Sequence, residues 1–200
     1  MKTLFIPAKS KLNLDKSIIK EISKKIPKNI AIAYSIQYKS QAEELKKILK
    51  PIAFTQVLGC SSPKFPQSTK AILLISDGKF HATSLALATK LPVYILENNK
   101  LSKISNKDIE KLEKQQKAAY VKFLNSKEVG ILVSTKPGQQ RLKHAREFKK
   151  KLKDKRSYLF ICNNINTSEF ENFGLDSWVN TACPRMDMND ARVVNLDKIK

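Results

Sequence analysis

Residues 71–96 read AILLISDGKFHATSLALATKLPVYIL. "AILLIS" is apolar without alternation, the pattern of a strand covered on both faces. Asp77-Gly78 is a turn pair that stops it. "FHATSLALATK" then carries a helical pattern, and "PVYIL" returns to a short apolar run rich in strand formers. Strand, helix, strand in so short a span is a βαβ unit, which needs a parallel sheet to sit in.

The same alternation extends outward in both directions. Upstream, "TLFIP" reads as a short strand and "LDKSIIKEISKKI" as a helix with Leu14, Ile18, Ile22 and Ile26 at helical spacing. "NIAIAY" is a strand, "SQAEELKKILK" a helix ended before Pro51, and "IAFTQV" a strand running into Gly59-Cys60. Downstream, residues 107–125 form one long helix, "VGILVST" is a strand, and "PGQQRLKHAREFKKKLK" reads as a helix opened by Pro137. "SYLFIC" and "SWVNTA" are the remaining strands, the second taken as the last. The expected fold is α/β, in two small three-layer α/β/α domains with parallel sheets, residues 1–104 and 105–200.

Two hundred residues suffice for two such domains, and 42% apolar residues suffice for their cores. No run approaches a membrane span. The N-terminus "MKTLFIPAKSK" has only a short apolar run closed by Pro7, so no secretory leader is expected and the cytosol is the expected compartment. The formal net charge is +20, carried by 33 lysines and 5 arginines. An excess of that size is compatible with a polyanionic partner. Groove readers, however, favour arginine for its planar fork. The lysines also spread over most polar helix faces. A solvated basic surface is therefore the stronger reading and direct nucleic-acid contact the weaker.

The three cysteines, 60, 162 and 183, are too few and too far apart for a disulfide framework. Cys60 and Cys183 each follow an expected strand, where ligands of open α/β sheets gather, and could converge on one crevice. A small buried hydrophobe is the plainer reading of each, and spacing alone does not displace it. Cys162 lies within "SYLFIC" beside Tyr158 and Phe160 and reads as core filling. Asp77, Gly78 and His81 follow one strand end, as an ordinary turn or as an anion-friendly helix start. Ser134, Thr135, Lys136, Gly138 and Gln139 follow another, without the GxxxxGK[ST] of a phosphate loop. His144 reads as a surface residue and Trp178 as core.

In this order, "QVLGC", "SDGKFH", "VSTKPGQQR" and "DSWVNTACPR" resemble the diphthamide synthesis family, the archaeal aminocarboxypropyl-histidine synthase and its two eukaryotic relatives. The resemblance runs from "TLFIPA" to "ACPRM" and lies in the ordered set, each motif being weak alone. It implies a [4Fe–4S] cluster held by three cysteines, one from each of three similar α/β domains, with one iron open to S-adenosylmethionine. It further implies transfer of the 3-amino-3-carboxypropyl group, as a radical, to a histidine of translation elongation factor 2. That is the first step of diphthamide formation. By the same resemblance, Cys60 and Cys183 match cluster ligands. Asp77, Gly78 and His81 match a turn of the family's second domain, and Lys136, Gly138, Gln139 and Arg141 a loop of its third. Cys162 matches no ligand. The family also continues "FHPLG" where this chain has "FHATS".

By the same resemblance, "MKTLFIP" matches the end of the family's first domain, whose cysteine is not among the matched residues. The expectation is a transferase subunit completed by a second chain that brings the missing ligand, or by a homodimer. Its rivals are a non-catalytic docking partner of that system and a basic nucleic-acid-binding α/β protein.

Overall fold

The computed structural model describes Leu4, Ile6 and residues 8–58 and 63–199. The chain forms two compact units, Met1–Ile109 and Glu110–Lys200. The strand expected in "TLFIP" falls mostly outside the described residues, and Leu4 and Ile6 lie in no regular element.

The first unit runs α1 (Lys16–Lys25), β1 (Ile30–Tyr34), α2 (Lys39–Leu49), β2 (Ala53–Gln56), β3 (Ala71–Ile75), α3 (Phe80–Thr89), β4 (Val93–Glu97) and β5 (Lys100–Lys103). Its sheet has the order β2-β1-β3-β4-β5, parallel except for β5. Every residue of β1 and β3 is buried, as the unbroken apolar runs require. Ile30, Ile32, Leu73 and Ile75 face Ile18 and Ile22 of α1 and Leu45 of α2. Ala31, Ala33, Ile72 and Leu74 face Ala82 and Leu85 of α3. The buried Gln41 of α2 donates to the Leu12 carbonyl at 2.6 Å, which ties down the segment entering α1. Strand β5 was not expected. Its polar "KLSK" offers no apolar run, and the hairpin rests on Asn98 and Asn99, both at positive φ (47° and 57°), as a two-residue primed turn needs.

The second unit runs α4 (Asn106–Asn125, whose first turn precedes the unit boundary), β6 (Glu128–Ser134), α5 (Leu142–Lys151), β7 (Arg156–Cys162), a 3-10 helix (Thr167–Phe173), β8 (Ser177–Asn180), the one-turn α6 (Met186–Asn189) and β9 (Val193–Asn195). The sheet is parallel throughout, in the order β7-β6-β8-β9. On one face, Ala119 and Phe123 of α4 and Ala145 of α5 pack against Val129, Ile131, Val133 and Val179. On the other face the covering layer is the 3-10 helix, whose Phe170 stacks on Trp178 with ring centroids 4.0 Å apart. Trp178 is 1% exposed, as expected of a core residue.

Three sequence expectations change here. "SWVNTA" is not the last strand, because the three-residue β9 follows at the sheet edge, too short to signal itself. Helix α5 begins at Leu142, not Pro137. Lys136–Gln139 instead form a turn closed by Gln139 N to Lys136 O at 3.0 Å, with Gly138 at φ 77°. Proline second and a positive-φ glycine third is the type II signature. Finally, Cys162 is half-buried rather than core. Its strand, β7, is an edge with one paired side, and Tyr158 and Ile161 are 44% and 53% exposed.

Candidate functional site

Each sheet reverses its winding once. In the second unit, β6 is followed on one side by β7 and on the other by β8, so the switch lies between β6 and β8. Loops leaving the carboxyl ends of such strands frame the ligand crevice of open α/β sheets. The loop after β6 carries Lys136, Gly138, Gln139 and Arg141, and the loop after β8 carries Cys183. Five sequence candidates thus share one end of one sheet.

The Cys183 loop is tightly held. Thr181 donates its backbone N–H (3.1 Å) and its hydroxyl (2.7 Å) to the Leu132 carbonyl of β6. The buried Asn180 side chain accepts from Ala182 N (2.9 Å) and donates to the Cys183 carbonyl (2.7 Å) and to Asn195 Oδ1 (2.6 Å). Asn195 in turn donates to the Pro184 carbonyl at 2.7 Å. Below the loop, the Asp187 carboxylate is 2% exposed and lies 2.6 Å from Lys198 Nζ. Burial pushes that carboxyl up from its ordinary range against the pull of the lysine. Gln115 of α4 donates to the Asp187 carbonyl at 3.1 Å. Fully satisfied buried amides of this kind make a loop rigid. They leave the half-buried, unbridged Cys183 thiol on a fixed backbone.

The β6 loop is anchored as well. Ser134 Oγ accepts from Lys136 N (3.2 Å), and Thr135 N donates to the Cys162 carbonyl (3.0 Å). Cys162 therefore ends its strand at this same end of the sheet. Burial raises its thiol above the ordinary range, so it holds its proton at neutral pH.

In the first unit the switch lies between β1 and β3. The turn after β3 holds Asp77 and Gly78, and His81 sits in the first turn of α3 with its ring 5.3 Å from that of Phe80. The Tyr38 hydroxyl donates to Asp77 Oδ1, and Gly78 N donates to Glu97 Oε1 at 2.7 Å, with Gly78 at φ 72°. That N–H, left open by the sequence between an ordinary turn and an anion-friendly helix start, is thus satisfied by a neighbouring carboxylate. Burial, with the Asp77 hydrogen bond, pushes the Tyr38 phenol up to about 12. Cys60 lies outside the described residues.

Sequence reading missed Tyr38, Glu97, Asn180 and Asn195. Tyr38, Glu97 and Asn195 are distant along the chain from the groups they hold, and Asn180, though only three residues from Cys183, acts through the distant Asn195. Among the described residues no group of three His, Cys, Asp or Glu is placed to hold a metal. The thiol chemistry of Cys183 nevertheless fits an iron-sulfur ligand.

Comparison with known proteins agrees with this architecture. The family described as "Putative diphthamide synthesis protein" matches residues 1–193. The 2-(3-amino-3-carboxypropyl)histidine synthase of Methanocaldococcus jannaschii is 33% identical over 95% of this chain and 57% of its own length. That of Pyrococcus horikoshii is 33% identical over 68% of this chain and 40% of its own. Subunit 1 of the Schizosaccharomyces pombe enzyme is 30% identical over 70% of this chain and 34% of its own. The crystal structure of Dph2 from Pyrococcus horikoshii superposes with TM-score 0.78 at 27% identity, covering 94% of this chain and 61% of that one. A second structure of that protein, with a 4Fe-4S cluster, gives 0.74 at 27% identity over 90% and 59%. The chain thus spans between 34% and 57% of the length of these curated relatives.

Proposed function

This chain belongs to the diphthamide synthesis protein family, and on that premise we propose that it takes part in the first step of diphthamide formation. In this reading it contributes to transfer of the 3-amino-3-carboxypropyl group of S-adenosylmethionine to a histidine of elongation factor 2. The observation that carries the reading is Cys183, an unbridged thiol on a hydrogen-bonded loop beyond the β6/β8 switch, inside the family match. Cys183 and Cys60 are the proposed ligands, and a third thiolate comes from outside Cys60, Cys162 and Cys183. The relative with a 4Fe-4S cluster supports the choice of cofactor. A bound cluster would supply the electron that cleaves the sulfonium and an iron open to the methionine moiety.

The chain's own residues have simpler tasks. The Asn180–Asn195 pair keeps the Cys183 backbone still, so that ligation costs little ordering. The Lys136 and Arg141 cations stand on the neighbouring loop and suit a carboxylate substituent. The Tyr38 and Glu97 contacts hold the Asp77-Gly78 turn in one conformation. The subunit naming among relatives supports a complex; elongation factor 2 as its substrate and the cytosol as its compartment are parts of the same proposal.

Anaerobic reconstitution with iron and sulfide tests this reading, using wild type and the single variants Cys60→Ala, Cys183→Ala and Cys162→Ala. Iron content and iron-sulfur absorbance should drop in the first two. Cys162→Ala should keep both and lose on the order of 1 kcal/mol of stability. Full iron retention by Cys183→Ala would overturn the ligand assignment. Transfer of labelled aminocarboxypropyl to unmodified elongation factor 2, with the remaining subunits supplied, tests the reaction itself.

A further inference from the structure

The second unit carries its charge unevenly. Residues 141–156 hold nine Lys or Arg against two Asp or Glu, whereas the rest of residues 110–200 holds ten against nine. Most of the excess of this unit therefore sits between Arg141, just before α5, and Arg156, the first residue of β7. Lysines scattered over the surface, as the composition suggested, would not produce this.

Helix packing sets the direction in which those charges point. Ala145 is buried, and Leu142, Phe148 and Leu152 pack with it against the sheet. At 100° per residue, Lys143, Arg146 and Lys150 share the face opposite Ala145. All three are exposed, as are Lys149, Lys151 and Lys153 around the helix end. Two neighbouring cations are already committed. Lys155 Nζ donates to the carbonyls of Leu124 and Ser126, both at 2.8 Å, and caps α4, while Arg156 pairs with Glu128 at 3.0 Å. Among the described residues, none of the six on α5 and its end lies within 4.0 Å of an acidic group. Glu147 is the one acid on the outward face.

We propose that the outer face of α5, with Lys149, Lys151 and Lys153 at its end, is a docking surface for the phosphodiester backbone of a nucleic acid, for which RNA is the probe below. Two features favour a nucleic acid over an acidic protein. Protein interfaces anchor on buried aromatic and apolar side chains and are depleted in lysine at their centres. None of the large exposed apolar residues lies on α5. Phosphate contacts, by contrast, need only cations at backbone spacing. Lys143, Arg146 and Lys150 step along the helix axis by about 4.5 and 6 Å. The predominance of lysine over arginine predicts binding by charge, without base preference. The surface is independent of the proposed cluster ligands, so it holds or fails apart from the transferase reading.

Fluorescence anisotropy of the 200-residue chain with a labelled mixed-sequence single-stranded RNA tests the proposal, repeated from 50 to 200 mM salt. The test variant is Lys143→Gln/Arg146→Gln/Lys149→Gln/Lys150→Gln. The control removes four charges from the first unit, Lys20→Gln/Lys24→Gln/Lys46→Gln/Lys47→Gln. Near 100 mM salt the α5 variant should bind at least tenfold more weakly. The magnitude of its log K against log salt slope should fall by about three, at roughly 0.7 per lost phosphate contact on a single strand. The control should stay within about twofold of wild type. Equal losses in the two variants would reduce the effect to net charge and overturn the proposal. So would absent RNA binding by the wild type, or tighter binding to polyglutamate or to phosphatidylserine vesicles than to RNA.

Discussion

Gly130→Ala should damage the second unit far more than one methyl group suggests. Gly130 lies in β6, paired on one side with Tyr158 of β7 and on the other with Trp178 of β8. A Cβ built there overlaps Cε3 and Cζ3 of Trp178 and lies 3.0 Å from Leu175 Cδ1. The indole has no room to retreat. Phe170 stacks on it at 4.0 Å, Phe160 meets it edge-on at 4.8 Å, and Phe173 lies 5.9 Å away. Overpacking a closed core costs about 1–3 kcal/mol, and a ring held by three others belongs at the upper end. The lost freedom of the unfolded chain returns about 0.4–1 kcal/mol. The net destabilisation is therefore ~2 kcal/mol. For a unit of this size that is a fall in Tm of roughly 8–16 °C. Trp178 is the single tryptophan, so its fluorescence in a urea titration reports this unit alone. Trp178→Phe removes the overlapping part of the ring. In a double-mutant cycle followed by circular dichroism, the pair should be less destabilised than the sum of the singles by at least ~1 kcal/mol. A Gly130→Ala midpoint within about 0.5 kcal/mol of wild type, or strict additivity, would refute the close-approach account.

Two further outcomes follow from the titrating groups. The Tyr38 phenol is raised in the folded state, so its contribution is full below pH 10 and is lost as pH rises toward about 12. Tyr38→Phe should cost about 1 kcal/mol at pH 7 and flatten the alkaline limb of stability, measured by urea unfolding from pH 9 to 11.5. The Asp190 carboxyl is held low, first by its hydrogen bonds from the Arg192 guanidinium at 3.1 and 2.9 Å. Its contribution is present above the ordinary aspartate range and is lost as pH falls through the depressed value. Arg192→Met also frees the Thr167 carbonyl, which the guanidinium holds at 2.8 Å. It should cost ~2–3 kcal/mol at pH 7 and weaken the acid dependence below the ordinary aspartate range, followed by Trp178 fluorescence. An unchanged acid limb in that variant would remove Asp190 from the account.

What the amino-acid order determined by itself is what repeats locally. Unbroken apolar runs such as "AILLI" meant strands covered on both faces, and Ile18 and Ile22 at helical spacing meant a buried stripe, because periodicity is a property of neighbouring residues. The ordered motifs pointed to the family, and their positions after strand ends placed Cys183 and the Lys136 loop at one end of one sheet. The tertiary structure alone decided matters that depend on partners distant in sequence. It made β7 an edge, so that "SYLFIC" is half-exposed despite its apolar composition. It bent Lys136–Gln139 into a turn where Pro137 allowed a helix start. It joined Asn180 to Asn195, and Tyr38 to Asp77, across gaps that no local pattern spans. It also turned the cations of α5 outward together, because Ala145, Phe148 and Leu152 needed the sheet. Hydrogen bonds and burial belong to surfaces brought together in space, and sequence proximity carries information only about those that are also near along the chain.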